Sequence, residues 1–295
     1  MGKIEKILLC GIGAVGLTFA SKFQKYSPDC IKVLVDEKRL KRYKQKPLRL
    51  NGEEKFFDYI LPSNTDYKPD LIIISTKMDG LESVLENLKN FVDEKTFIMP
   101  IINGITAENI VVEKYGRERT VGGYFIGHSA MRVNNEVVHD GVGKIVFSSC
   151  EPIAEFFSRA GIDFEIPQDF QYAKWVKFGL NIISNQTSCI LKMTFGDMQK
   201  SKEFHKFARN ILREIVELAH AEGVLGWENL ENDVIKSLDL MSADGRTSML
   251  QDIEAGKKTE LDIFAGTVIK LGKKHGIPTP YNQTLYEMIR ILEEL

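Results

Sequence analysis

The chain has 295 residues, 43% of them hydrophobic and 27% charged, with a formal net charge of −2. That length favours two domains over a single core, and the near-balanced charge gives no support to general nucleic-acid binding. Cys10, Cys30, Cys150 and Cys189 are scattered without paired spacing, which argues against a disulfide framework or a zinc site and fits reduced thiols in the cytoplasm.

In chain order, Lys3 and Lys6 precede an apolar run, as in a secretory signal. However, Glu5 sits among the basic residues, and Gly11, Gly13 and Gly16 interrupt the run. No stretch reaches the roughly 18 apolar residues of a membrane span, so a cytoplasmic protein with no membrane partner is expected. Short β-branched runs predict buried parallel strands at 4–10, 31–35, 71–75 and 97–102, with a helix over 14–25. From about 122 to 149 the pieces shorten and alternate. Val133-Asn-Asn-Glu-Val137 carries a turn signal, so antiparallel hairpins are expected there. Beyond Gln168 helical periodicity runs through 169–194, 203–222, 228–240, 246–255 and 259–275. The predicted fold is α/β: a doubly wound Rossmann-type dinucleotide-binding domain over 1–168, then an all-helical substrate and catalytic domain over 169–295, with a cleft between them.

Gly11-Ile-Gly-Ala-Val-Gly16 lies between a predicted strand and a predicted helix, the context that gives G-x-G-x-x-G its meaning. Gly11 permits the tight turn, Gly13 lets the backbone approach a pyrophosphate, and Gly16 lets helix pack on strand. Asp36 follows the second strand, where a carboxylate bonds ribose hydroxyls and disfavours a 2′-phosphate. Lys38, Arg39, Lys41 and Arg42 follow at once and could hold that phosphate, or form a solvated helix face. NADH and NADPH therefore both stay open. Lys77 and Asn103 follow the strands at 71–75 and 97–102, and carboxyl ends of parallel strands are where such sheets bind ligands. These two are predicted to sit at a nicotinamide-and-substrate edge, against the alternative of plain loop surface.

Lys177, Asn181 and Asn185 fall four residues apart in an apolar run. At about 100° per residue they drift only about 40° per step and share one helix face. Buried there, a cation and two amides need polar partners: either hydrogen bonds between helices or a ligand. Desolvation beside Trp175 and Phe178 would lower the lysine pKa and suit it to protonate an alkoxide formed by hydride attack on a ketone. Ser248 and Glu260 are twelve residues apart, about 18 Å along one straight helix, so they can meet one small substrate only across a break. Gly256 is predicted to end the first helix and Thr259 to cap the next, with Glu260 in its first turn.

These pieces, with Ser75-Thr-Lys77, Asn103-Gly104, Val138-His-Asp-Gly-Val-Gly143 and Gly276-Ile-Pro-Thr-Pro280, resemble the ketopantoate reductase (2-dehydropantoate 2-reductase) family in its order and approximate spacing over almost the whole chain. The resemblance implies NADPH-dependent reduction of 2-dehydropantoate to (R)-pantoate on the route to pantothenate and coenzyme A. It implies Lys177 as the catalytic acid, with Glu260 near the substrate's terminal hydroxyl. Asn181 and Asn185 would line the substrate, Ser248 would meet its carboxylate, and Lys77 and Asn103 would lie between cofactor and substrate. A homodimer stays open. The chain departs from the family at Asp36, where arginine is frequent, at Gln186, where proline is frequent, and at Phe195 and Gly245, where some members carry asparagines. Reduction of another branched 2-oxo or 3-oxo acid is the rival activity. A dinucleotide sensor without turnover is the rival class.

Overall fold

A computed structural model of the protein describes residues 2–64, 66–127, 130–139 and 143–295, without the side chains of 130 and 131. The chain divides into two compact units, Met1–Phe170 and Gln171–Leu295. In order, the first unit holds β1 (Ile7–Cys10), α1 (Ala14–Tyr26), β2 (Ile31–Leu34), α2 (Glu37–Gln45), β3 (Leu48–Leu50), β4 (Glu53–Lys55) and β5 (Asp58–Ile60). There follow β6 (Leu71–Ile74), α3 (Leu81–Asn87), β7 (Phe97–Pro100), α4 (Ala107–Tyr115), β8 (Gly123–Ile126), β9 (Ala130–Val133), β10 (Glu136–His139), β11 (Lys144–Phe147), α5 (Glu151–Ala160) and β12 (Phe164–Glu165).

A parallel sheet of order β5-β2-β1-β6-β7 forms the centre of this unit. Its inner strands β1 and β6, and β7 beside them, are apolar at consecutive positions because both faces are covered, whereas β2 and the edge strand β5 carry Lys32 and Asp58. On one face Ile7, Leu9, Leu71 and Ile73 meet Phe19 and Phe23 of α1 and Phe156 and Phe157 of α5. On the other Leu8, Cys10, Ile72 and Ile74 meet Leu81 and Leu85 of α3 and Val111 of α4. From β1 the chain runs to β2 on one side, then returns to β6 on the other. Cys10 pairs with both Leu34 and Ile74, so three carboxyl ends stand level at the point where the winding reverses, the usual ligand position in such sheets.

The antiparallel pairing expected over 122–149 is present, divided between two sheets. β8 pairs antiparallel with β11, which joins β12, whereas β9 and β10 form a hairpin belonging to another sheet, β4-β3-β10-β9. The hairpin turns at Asn134, with φ 55°. Its second strand runs parallel to β3, Glu136 opposite Arg49, a pairing with a segment far upstream that local alternation could not reveal. This small sheet packs against α1.

At the division begins α6 (Phe170–Leu191), followed by α7 (Phe195–Lys200), α8 (Lys202–Ala221), α9 (Leu230–Asp239), α10 (Ser248–Glu254), α11 (Ala265–His275) and α12 (Pro280–Glu294). α8 packs against α7, α9, α11 and α12, burying Ile211, Leu212, Ile215 and Leu218. The helix expected over 259–275 is broken: a 3-10 turn at Leu261–Ile263 precedes α11, and Phe264 between them is non-helical, with φ −100° and ψ −96°. Leu261, Ile263 and Phe264 are all buried. One uninterrupted α-helix would spread these three over about 160° of its circumference; here they are buried in and just after a 3-10 turn. Among the described residues no helix is long and apolar enough to cross a membrane.

Candidate active site

The three glycines of the first loop are each required or exploited sterically. Gly11 has φ +96°, and a Cβ on it would lie 2.8 Å from the backbone of Ser75 and Thr76. A Cβ on Gly16 would lie 2.1 Å from the Gly11 carbonyl oxygen and 2.6 Å from Ser75 Oγ. Gly13 is different: a Cβ there would meet nothing within 4 Å, which leaves the loop open where a pyrophosphate needs close backbone approach. Gly13 also N-caps α1 without a side-chain cap, so it does not itself occupy the N–H groups of the first turn, the groups that bind anions at a helix start. Ser75 Oγ donates to the Gly11 carbonyl (2.6 Å), locking the end of β6 onto the loop. This loop fits a dinucleotide.

Asp36 is exposed and N-caps α2, accepting from the Arg39 N–H at 2.6 Å, and pairs with the Arg39 guanidinium. Partial burial raises its pKa, but the Arg39 N–H and charge outweigh that and hold it below the ordinary value. Its carboxylate is thus already engaged. Lys77 is exposed beyond β6, at the entry to a 3-10 turn over Met78–Gly80, and Asn103 is half-buried beyond β7. Both follow strands of the central sheet, as their sequence positions require.

In the helical unit, Asn181 and Asn185 are buried while Lys177, one face with them, is half-buried. Burial lowers the Lys177 ammonium to about 8. Asn185 Oδ1 accepts from Ser248 Oγ and from the Met249 N–H, each at 3.2 Å, and Asn185 Nδ2 donates to Asn181 Oδ1 at 3.5 Å. Because a backbone N–H can only donate, the Asn185 amide orientation is set by Met249. Thr247 caps α10 by accepting from the Leu250 N–H (3.3 Å) and meets Ser188 Oγ at 2.5 Å. Ser248 is thereby delivered to α6. Gln186 also ties the helix down, donating to Ile182 O (3.1 Å) and to Asn282 Oδ1 of α12 (3.0 Å).

Glu260 lies at the entry to the Leu261–Ile263 turn and is half-buried. Gly256, φ +61°, does follow α10, but Thr259 caps no α-helix. Its hydroxyl accepts from Leu261 N (3.2 Å) and donates to Glu293 Oε1 (2.7 Å). With only a 3-10 turn behind it, Glu260 has little helix dipole to favour its charge. Of the stretch 138–143, residues 140–142 lie outside the described residues. Sequence reasoning missed the Thr247–Ser188 contact and also Arg132 of β9, whose Nη1 donates to the Ile12 carbonyl in the glycine loop at 2.5 Å. One arginine in a mixed-charge hairpin gives no local signal.

Two family models match the chain. One, described as Ketopantoate reductase PanE/ApbA, matches residues 7–152, and the other, Ketopantoate reductase PanE/ApbA C terminal, matches residues 169–293. The 2-dehydropantoate 2-reductase of Streptococcus pyogenes serotype M6 (strain ATCC BAA-946 / MGAS10394) is 24% identical, with 97% of each chain covered. Among solved structures, D-mandelate dehydrogenase with NADH and anilino(oxo)acetate has a TM-score of 0.86 at 23% identity over 98% of each chain. A dimeric ketopantoate reductase from Staphylococcus aureus has a TM-score of 0.76 at 20% identity, covering 98% of this chain and 99% of that one. At these identities the structural likeness establishes the fold.

Proposed function

This chain belongs to the ketopantoate reductase family and is an oxidoreductase, and from that premise we propose that it reduces the ketone of 2-dehydropantoate to (R)-pantoate with NAD(P)H. The observation that carries the reading is the polarity of the α6 stripe. Asn185 Oδ1 is taken by α10 and Asn181 Oδ1 by Asn185. The groups left to a ligand are the amide N–H groups and the Lys177 ammonium, all donors. Such a stripe selects a molecule rich in acceptor oxygens, as a 2-oxo acid is.

Bound nicotinamide supplies the hydride. The chain's own residues do the rest. Gly11, Gly13 and Gly16 hold the dinucleotide phosphates, while Asp36 and the Arg39 beside it read the adenosine ribose. Lys77 and Asn103 position the reacting ends. Lys177 donates its proton to the alkoxide oxygen left by hydride addition, a step worth about 10²–10⁴-fold, and the Asn181 and Asn185 amide N–H groups meet the carboxylate, toward which Ser248 turns its hydroxyl by giving up its bond to Asn185. Glu260 accepts from the substrate hydroxyl. Initial rates of NADPH and NADH oxidation with 2-dehydropantoate and with 2-oxoisovalerate test this: kcat/KM is expected to be higher for 2-dehydropantoate, and no turnover of it rejects the assignment.

One contact supports a second reading. A Cβ on Gly245 would lie 2.9 Å from the Phe195 ring, so an aromatic side chain and a glycine pack together where the family resemblance leads one to look for amides. A less polar branched 2-oxo acid would suit that pairing, and preferred turnover of 2-oxoisovalerate would establish it. Tight cofactor binding with no turnover of any 2-oxo acid would instead indicate a sensor. A homodimer is part of the proposal; light scattering should then give a mass near twice 33.5 kDa.

A further inference from the structure

We propose that Arg132 is a positioning residue of the dinucleotide site, holding the Ile12–Gly13 peptide so that its N–H faces the pyrophosphate and setting a positive charge beside the loop. This rests on the reading that the glycine loop binds a dinucleotide. Arg132 Nη1 donates to Ile12 O at 2.5 Å and Nε to Asn134 O at 2.9 Å, so the guanidinium is clamped between its own hairpin turn and the loop. In a planar trans peptide the C=O and the following N–H point in opposite directions. Fixing the Ile12 carbonyl toward Arg132 therefore turns the Gly13 N–H to the other side, at the glycine whose Cβ position is open. The donor also withdraws electron density from that carbonyl, which strengthens the N–H as a donor.

The hairpin is built to hold this group still. Asn51 Nδ2 donates to His139 O (3.1 Å) and Asn51 Oδ1 accepts from His139 N (2.9 Å). At the other end Arg49 N donates to Asn135 O (2.8 Å). Both ends of β10 are thus bolted to the segment around β3, and Arg132 pairs with buried Val137 across the hairpin.

The test measures binding of ADP-ribose and of adenosine to the full-length protein and its R132Q and R132K variants, each at low and moderate salt, with melting curves alongside. R132Q is expected to weaken ADP-ribose by roughly 10-fold to 100-fold, the range for losing a charged hydrogen bond, while adenosine, which lacks the pyrophosphate, changes far less. R132K should recover part of the loss, and the salt dependence of ADP-ribose binding should be shallower in R132Q than in the wild type. Unchanged ADP-ribose affinity in R132Q overturns the proposal, as does an equal loss for adenosine and ADP-ribose. If R132Q does not fold, R132K decides: wild-type ADP-ribose affinity and salt dependence together with wild-type melting mean that the fork to Ile12 contributes nothing. Wild-type protein that binds no ADP-ribose overturns the dinucleotide reading itself, an outcome distinct from the others.

Discussion

Lys177 joins an unusual environment to a measurable consequence. Burial brings its pKa to about 8, so the protonated form, the proposed proton donor in ketone reduction, is lost as pH rises through that value. kcat for reduction should fall across pH 8, and the reverse oxidation, which needs the neutral amine, should rise over the same window. Lys177→Ala should lose at least ~10² in kcat, and Lys177→Arg should abolish the inflection. Asp36 makes a second case. Its replacement by alanine removes a helix cap, costing about 1 kcal/mol, but also releases Arg39. The ratio of kcat/KM for NADPH over NADH should rise in Asp36→Ala and fall in Arg39→Ala; an unchanged ratio in both would take this corner out of cofactor choice. The α6 stripe was legible in the sequence because its members share one helix with fixed periodicity. Arg132 was not, because its partner lies 120 positions away and is a carbonyl that any residue could supply.

Among the elements, α10 is the one whose start matters most. Thr247 caps it and contacts Ser188 while Ser248 and the Met249 N–H hold Asn185. Thr247→Val should cost about 1–2 kcal/mol of stability and, by loosening Ser248 and Asn185, raise the KM for the oxo acid more than it lowers kcat. Equal KM values for variant and wild type would show that the cap serves α10 alone. The long helices were readable as amphipathic periods, and the central strands as apolar runs. What escaped were features set by distant packing. β3 and β4 are only three residues each, and β3 gains a partner in β10 from far along the chain. The break before α11 falls at Phe264, with φ −100° and ψ −96°, and has no punctuating glycine or proline of its own.

For the molecule as a whole, burial governs the thiols. All four cysteines are unpaired and buried, and burial raises the pKa of each, that of Cys189 to about 12. Since the thiolate is the reactive form, Ellman's reagent should titrate the native protein slowly at pH 8 and release four equivalents once it is unfolded. One fast equivalent in the native protein would contradict the burial of these residues. The division between Phe170 and Gln171 falls where sequence texture changes from short alternating runs to long periods, since a parallel sheet and a helical bundle bury their side chains with different repeats.

Behind the donor stripe, α6 carries a glycine, Gly179. A Cβ on Gly179 would stand 2.8 Å from Val234 Cγ2 and 3.4 Å from Leu212 Cδ2, so α6 beds onto its neighbours through bare backbone. A single added methyl would act as a shim, lifting the helix by some tenths of an ångström and carrying its three polar groups with it. If the stripe meets the substrate as proposed, Gly179→Ala should shift the ratio of kcat/KM for 2-dehydropantoate over 2-oxoisovalerate, and Val234→Ala in the same chain should restore it.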